Sequence, residues 1–312
     1  MEKLTILGAG TMGHSIALSA AWSGHTPTVY GINEQDVTNA DKGLAQKLAV
    51  MADNGLFDDN EAQAIRGRIL FTTSLEEAVG EATFILEVVP EKLQLKLDLY
   101  KQLESLFDPS VIIASNTSGF KPSLLAEGMN HPERFIVAHF WNPGHLIPLV
   151  EVVNGERTQE EATARTMALL KAMNKKPILL NKELPGFIGN RLQYALFREA
   201  QALLDAGAAS KEDIDAAVTY SIGRRLPVTG PLMTADMGGL DVFSAISNYL
   251  FEDLADDQRS GKILSQLVDQ HKLGDKTGQG FYEWAPDVSE KINRKREQTL
   301  IQFLKNDLEQ EG

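Results

Sequence analysis

His139 and Glu151 carry side chains that can transfer protons. They lie twelve residues apart, each in a short apolar run. An imidazole titrates near neutrality, so it can exchange a proton with an alcohol in either direction. A carboxylate beside it fixes its tautomer and stabilises its protonated form. A lone histidine in an apolar run is most often a buried core residue. The two together, with Asn142-Pro143 directly after the histidine strand, predict general acid–base catalysis at a hydroxyl group.

The second chemical signal is the glycine-rich turn Gly8-Ala-Gly-Thr-Met-Gly13. It fits the pattern G-x-G-x-x-G and stands between an apolar strand and a helix, the context that makes this pattern specific for a dinucleotide. Gly8 permits a tight turn, Gly10 lets the backbone approach a pyrophosphate, and Gly13 lets helix and strand pack closely. Thr11 and Met12 begin the helix, whose free N–H groups suit phosphates.

The usual acid at the end of the second strand is absent from this chain. In dinucleotide-binding folds that carboxylate binds the adenosine ribose and favours NAD. Here the segment reads Val29-Tyr-Gly-Ile-Asn-Glu34, with Gly31 at the expected position, so that Asn33 and Glu34 are the candidates to replace it. No arginine or lysine lies nearby to receive a 2′-phosphate, and the predicted cofactor is therefore NAD.

The elements that must position these residues alternate between short apolar strands and amphipathic helices. Such alternation is typical of a mostly parallel sheet covered by helices. After about Leu184 the strands stop and helical periodicity dominates. The predicted fold class is α/β, with a Rossmann-like parallel-sheet domain over residues 1–183 and a smaller all-α domain over residues 184–312. Strands are predicted at 4–7, 26–30, 69–71, 83–87, 111–114, 135–139, 149–153 and 177–180.

Composition narrows the functional class further. The 312 residues carry a net charge of −13, which disfavours nucleic acid and anionic membrane surfaces as partners. There are no cysteines, which excludes thiol catalysis and Cys-ligated metals, and no HExxH-type spacing is present, so no catalytic metal is expected. No membrane span or secretory signal is apparent, and we expect a cytoplasmic protein acting on a small molecule.

Six segments, in this order, resemble the 3-hydroxyacyl-CoA dehydrogenase family. They are GAGTMGHSIA from Gly8, NTSGF from Asn116, RFIVAHFWNPGHLIPLVEVV from Arg134, PGFIGNRL from Pro185, GPLMTADMGGLD from Gly230 and KTGQGFY from Lys276. The resemblance covers nearly the whole chain. It implies a Rossmann-like domain, a helical domain that forms a homodimer, NAD as cofactor, and His139 and Glu151 as the catalytic pair.

The resemblance also implies roles for other residues. Ser118 matches a serine that hydrogen-bonds the reacting oxygen, and Asn190 matches an asparagine near the histidine and the substrate carbonyl. Asn142 is expected at the substrate. The further residues expected at the cofactor are Asn116, Glu91 and Lys96.

The substrate is less determined than the reaction. The leading hypothesis is NAD-dependent interconversion of a short-chain L-3-hydroxyacyl-CoA and its 3-keto form. The alternative is the same chemistry on a small free hydroxy acid, of gulonate or carnitine type, with Arg225 binding the carboxylate. The acidic stretch from Asp53 to Glu61 disfavours CoA phosphates, and Arg224-Arg225 matches the free-acid branch. Two further readings are a non-enzymatic structural relative and a lysine-dependent dehydrogenase, whose lysine position is here Gly186.

Overall fold

The computed structural model describes residues 2–311, which form two compact units. The first unit contains the chain up to Ile188 together with the chain from Lys295 onward, and the second contains Gly189–Arg294. The predicted division at 183/184 differs because the last helix is shared between the units. Its residues Ile301 and Leu304 pack on Leu146 of the first unit, which the helical periodicity alone could not indicate.

An eight-stranded sheet forms the centre of the first unit, with the order β3-β2-β1-β4-β5-β6-β7-β8. Every neighbouring pair is parallel except β6 and β7. The strands are β1 (Leu4–Leu7), β2 (Thr28–Tyr30), β3 (Leu70–Thr72), β4 (Phe84–Glu87), β5 (Ile112–Ser115), β6 (Phe135–Phe140), β7 (Leu149–Asn154) and β8 (Lys176–Leu180).

Helices cover this sheet, and the α/β fold class is confirmed. They are α1 (Thr11–Trp22), α2 (Glu34–Asp53), α3 (Asp59–Gly67), α4 (Leu75–Val79), α5 (Leu93–Leu103), α6 (Pro122–Leu125) and α7 (Glu160–Ala172). Strands β1, β4 and β5 are buried along their whole length, as expected where helices lie on both faces. The short helices α3, α4 and α6 were not predicted, because fewer than three turns give a weak periodic signal.

The antiparallel pair β6–β7 determines the geometry of the predicted chemistry. Its register pairs His139 directly with Glu151, and the connection between the two strands is the loop 141–148. Directly opposed residues of an antiparallel pair present their side chains on one face, with Cβ atoms about 4.5–5.5 Å apart. The two residues are twelve positions apart in the sequence because they face each other across the β6–β7 hairpin.

The second unit is helical. It contains α8 (Gly189–Asp205), α9 (Lys211–Ala217), α10 (Gly223–Arg225), α11 (Pro231–Gly238), α12 (Leu240–Leu250), α13 (Lys262–Asp269) and the first turns of α14 (Pro286–Glu311). A π-helical stretch, Val218–Ile222, joins α9 to α10. Within residues 2–311, none of the helices combines the length and the apolar character needed to span a bilayer.

Candidate active site

His139 and Glu151 form a buried hydrogen-bonded pair, as their register requires. The distance between His139 Nδ1 and Glu151 Oε2 is 2.9 Å, and both residues are almost fully buried. Because a carboxylate can only accept, Nδ1 carries the proton of the neutral imidazole and Nε2 keeps its lone pair. This is the tautomer that a base needs when it takes a proton from an alcohol.

Two further donors hold the Glu151 carboxylate in place. The indole Nε1–H of Trp141 donates to Oε2 at 3.2 Å, and the backbone N–H of Ile188 donates to Oε1 at 2.8 Å. Hydrogen bonds of this kind stabilise the ionised form of a buried carboxyl group. These donors fix the orientation of the Glu151 carboxylate beside the imidazole.

The aromatic residues Trp141 and Phe187 both pack against the His139 ring. Each ring lies 5.5 Å from the His139 ring, measured between centroids. Phe187 has a positive φ of 52°, a conformation that costs free energy for a residue with a side chain. The turn that includes Phe187 brings the N–H of Ile188 to Glu151, so the strained residue directly precedes a donor to the catalytic pair.

A second buried charge network lies at the carboxyl ends of β4 and β5. Glu87 accepts from Lys96 Nζ at 2.7 Å, from Ser115 Oγ at 2.6 Å and from Tyr100 OH at 2.5 Å. Glu87, Lys96, Tyr100 and Ser115 are all buried. Burial, together with the Glu87 carboxylate, raises the pKa of Tyr100, so its hydroxyl remains a donor. The hydrogen bonds of this network fix the Glu87 carboxylate at the carboxyl-end edge of the sheet.

Glu91 connects this hydrogen-bond network to the loop that carries Ser118. Its carboxylate lies 3.4 Å from Lys96 Nζ and accepts from Thr117 Oγ1 at 2.5 Å and from the Ser118 N–H at 3.0 Å. Ser118 itself is exposed. Because Lys96 is 1% exposed and engaged by two carboxylates, the structure gives it a positioning role; the predicted contact of Lys96 and Glu91 with cofactor stays a prediction.

Asn116 connects the end of β5 to the end of β6 through a hydrogen bond. Its Oδ1 accepts from the N–H of Phe140 at 2.7 Å, next to His139. Asn142 follows at the start of the β6–β7 loop, is exposed, and precedes a cis proline. The predicted roles of Asn116 toward cofactor and of Asn142 toward substrate are untested by these contacts.

Lys175 binds the loop between His139 and Glu151. Its buried ammonium donates to the carbonyls of Gly144 at 2.7 Å and Ile147 at 3.2 Å. Burial lowers the pKa of Lys175 to about 7. His145, in the same loop, is neutral because burial lowers its pKa to about 3, and its Nδ1 lies 2.7 Å from Ser15 Oγ of α1. These contacts join the catalytic hairpin to the helix that follows the glycine turn.

The glycine turn fits a dinucleotide. Gly8 has a φ of +121°, and a Cβ built at Gly13 would lie 1.8 Å from the Gly8 carbonyl oxygen, so both positions require glycine. A Cβ at Gly10 would meet nothing within 4 Å, which leaves that backbone open to a ligand. Gly10 caps α1 without a side chain, so the first-turn N–H groups of Thr11 and Met12 remain available to phosphate oxygens.

The position of this turn in the sheet supports the same conclusion. Strand β1 lies between β2 and β4, where the strand order reverses direction. In open α/β sheets, ligands bind in the crevice beyond the carboxyl ends of the strands at such a point. His139 also lies near the carboxyl end of its strand, which runs parallel to β5. The glycine turn and His139 are thus placed at the same, carboxyl-end edge of the sheet.

The remaining predicted residues belong to the second unit. Asn190 lies in the first turn of α8 and is partly buried. Arg225 ends α10 and is exposed, and Arg224 lies over the Tyr220 ring at 5.3 Å from its centroid. Their roles toward substrate stay predictions.

Sequence reasoning missed Glu87, Trp141, Lys175 and the N–H of Ile188 as parts of the site. Trp141 could have been found, since it stands two residues after His139. The others have no local signal, because their partners are distant in the chain.

Both parts of the chain match a known protein family. Residues 3–184 match the family description "3-hydroxyacyl-CoA dehydrogenase, NAD binding domain", and residues 186–284 match "3-hydroxyacyl-CoA dehydrogenase, C-terminal domain". A 5-formyl-3-hydroxy-2-methylpyridine 4-carboxylate 5-dehydrogenase of Mesorhizobium japonicum is 31% identical, with 96% of each chain covered. A probable 3-hydroxybutyryl-CoA dehydrogenase of Deinococcus radiodurans is 36% identical, over 90% of this chain and 100% of that protein.

Among solved structures, one described as the 5-formyl-3-hydroxy-2-methylpyridine 4-carboxylic acid 5-dehydrogenase, an NAD⁺-dependent dismutase, is similar to this chain. Its TM-score is 0.90, its sequence identity is 30%, and 96% of each chain is covered. These similarities confirm the resemblance read from the motifs, and NAD as the cofactor.

Proposed function

Since this chain belongs to the 3-hydroxyacyl-CoA dehydrogenase family and is an NAD-dependent oxidoreductase acting on CH–OH groups, we propose that it oxidises a small hydroxy acid with His139 as the base. The observation that carries the proposal is the in-register pair of His139 and Glu151, with Nδ1 and Oε2 2.9 Å apart. The reaction is reversible, and the same residues then serve as acid.

His139 accepts the hydroxyl proton at Nε2 as the carbinol carbon becomes a carbonyl. The Gly8–Gly13 turn would hold NAD, which would supply the acceptor for the hydride that leaves that carbon. The Glu151 carboxylate stabilises the imidazolium that results, because an anion already lies against Nδ1. The burial of both residues strengthens this interaction relative to water.

By the family resemblance, Ser118 and Asn190 are each proposed to contact the substrate. Ser118 donates a hydrogen bond to the reacting oxygen, and Glu91 positions its loop by accepting from the Ser118 N–H. Asn190 contributes an amide from the first turn of α8. Hydrogen-bond donors placed where charge develops lower the barrier without reorganisation of the site.

A free acid is favoured over a CoA thioester by the surroundings of α2. Helix α2 carries two lysines: Lys42 is exposed, whereas Lys47 lies 3.0 Å from His14 Nε2, and burial lowers its pKa. The chain that follows is acidic, with Asp58 and Asp59 at the start of α3. A phosphate there would face carboxylates, whereas Arg225 can bind a carboxylate through both oxygens.

The second candidate is a short-chain L-3-hydroxyacyl-CoA as substrate. It is favoured by the Deinococcus radiodurans relative, named as a probable 3-hydroxybutyryl-CoA dehydrogenase, which this chain matches over that protein's full length. The Mesorhizobium japonicum relative, named for a pyridine carboxylate, favours the free acid.

A substrate panel separates the two candidates. We expect turnover of free hydroxy acids with NAD, and weak turnover of acetoacetyl-CoA with NADH. Arg225→Met should raise KM for the free acid and leave NADH affinity unchanged, with Arg224→Met as the matched control. Strong activity on acetoacetyl-CoA that Arg225→Met does not affect would contradict the free-acid proposal and favour an acyl-CoA as substrate. His139→Gln should lower turnover roughly 10²–10⁴-fold on either substrate, and full activity in that variant would refute the mechanism itself.

We also propose that the protein is a homodimer joined through its second unit. Large apolar side chains are exposed there, among them Leu232 at 83%, Met237 at 76% and Tyr249 at 67%. A second copy is the partner that would cover such a surface in a symmetric assembly.

A further inference from the structure

The chain lacks the acid that ends the second strand of NAD-binding folds, and the structure shows what occupies its place. Gly31 follows β2 and is buried, and its N–H donates to the Thr72 carbonyl at 3.1 Å. A Cβ built on Gly31 would lie 3.3 Å from the Cβ of Ala9, which belongs to the glycine turn. Position 31 therefore adjoins the cofactor loop, although it offers no side chain.

The first turn of α2 occupies the space of the missing side chain. The same Cβ at position 31 would lie 3.2 Å from the Cβ of Asp36 and 3.1 Å from Cγ2 of Val37. Both distances are shorter than comfortable carbon contacts, so a larger residue at 31 would displace this turn. The Asp36 side chain thus begins within 3.2 Å of where an aspartate at position 31 would begin.

The neighbouring polar residues are engaged elsewhere. Asn33 Oδ1 caps α2 by accepting from the N–H of Asp36 at 2.9 Å, which fixes the turn. Glu34 Oε1 accepts from Thr73 Oγ1 at 3.3 Å. By contrast, within residues 2–311 the Asp36 carboxylate makes no hydrogen bond or ion pair, and the residue is only partly buried.

We propose that Asp36 is the residue that binds the adenosine ribose of NAD in this chain. Its carboxylate accepts hydrogen bonds from the ribose hydroxyls, from the helix rather than from the end of the strand. A negative charge at this point also repels the 2′-phosphate of NADP, and therefore Asp36 determines the preference for NAD. The sequence candidates for this role, Asn33 and Glu34, serve the helix cap and the contact to Thr73.

Binding of NADH and NADPH, followed by nucleotide fluorescence without substrate, tests this inference independently of turnover. Asp36→Asn preserves shape and removes the charge. It should weaken NADH binding roughly 10- to 100-fold, the range expected for hydrogen bonds to a charged group. Glu34→Gln, which removes an acid two residues away in the same turn, should bind NADH within about twofold of the wild type.

Two gain-of-function variants keep the test decisive if Asp36→Asn is poorly folded. Asp36→Arg should reverse the preference and bind NADPH more tightly than NADH, because a guanidinium can receive the 2′-phosphate. In Asp36→Gly, which removes the Asp36 side chain from position 31 but leaves Val37 Cγ2 beside it, adding Gly31→Asp should restore part of the lost NADH binding. Unchanged NADH affinity in Asp36→Asn, a larger loss in Glu34→Gln, or continued preference for NADH in Asp36→Arg would each overturn the assignment.

Discussion

Replacing Glu151 by glutamine tests the catalytic pair most directly. Among the donors to the carboxylate are His139 Nδ1 and Trp141 Nε1 at Oε2, and the Ile188 N–H at Oε1. A glutamine side chain has almost the same shape but only one acceptor oxygen, and its NH₂ group donates. It cannot satisfy three donors that approach both ends of the group.

Each orientation of the glutamine amide has a defined consequence. If its oxygen faces His139, its NH₂ group meets the Ile188 N–H, and a buried donor is left unsatisfied at a cost of about 1–3 kcal/mol. If its NH₂ group faces His139, Nδ1 must accept and Nε2 must carry the proton. In that tautomer Nε2 cannot act as a base. In both orientations the imidazolium loses its adjacent negative charge.

We therefore expect Glu151→Gln to lower turnover roughly 10²–10⁴-fold, equivalent to about 3–5 kcal/mol of transition-state stabilisation. The assay is steady-state oxidation with NAD across pH, with NADH affinity measured separately and expected to be unchanged. Trp141→Phe is the matched control, because it removes one donor and keeps the carboxylate, and its loss should be tenfold or less. Turnover of Glu151→Gln within about threefold of the wild type, with an unchanged pH profile, would refute the assigned role.

Three other predictions concern stability and assembly. Lys175, whose folded pKa is about 7, keeps its proton to about pH 10.4 in an unfolded chain. The unfolded state therefore binds more protons between these values. The free energy of unfolding should gain up to about 1.4 kcal/mol per pH unit there, and equal slopes for wild type and Lys175→Met would contradict this. Lys96→Met leaves Glu87 buried without its cation and should lower the free energy of unfolding by about 3–5 kcal/mol in denaturant titrations. The exposed control Lys101→Met should change it little. Light scattering should give twice the chain mass of 34.3 kDa, and a monomer mass at micromolar concentration would contradict the proposed dimer.

Some features could be predicted because the signal lies in contiguous residues. The turn from Gly8 to Gly13 needs its glycines for its own backbone, and the structure shows that need at both ends of the motif. The apolar period predicts helices at 11–23, 33–54 and 159–173, and α1, α2 and α7 lie within a few residues of those bounds at each end, because several turns repeat one period. The likeness to the family combined such local segments in their order along the chain, which is why the cofactor and the reaction type could be predicted.

Other features depended on which distant segments meet. Sequence spacing placed His139 and Glu151 on successive strands, but the antiparallel register made them direct partners. The burial of Lys96 against Glu87, the clamp of Lys175 on the loop at Gly144, and the division of α14 between two units have no local pattern. Each is a contact between side chains or backbone groups that are separated in the chain.

The adenosine end of the cofactor site illustrates the difference. The residues along the second strand showed that the usual acid is missing at Gly31, and NAD was still predicted because no cation stood nearby. The fold then shows that the first turn of α2 brings Asp36, five residues further along the chain, against that glycine. A motif specifies residues at positions counted along one segment, whereas a binding site requires only that the right atom reach the right place. Packing of a helix against a strand can supply that atom from another position.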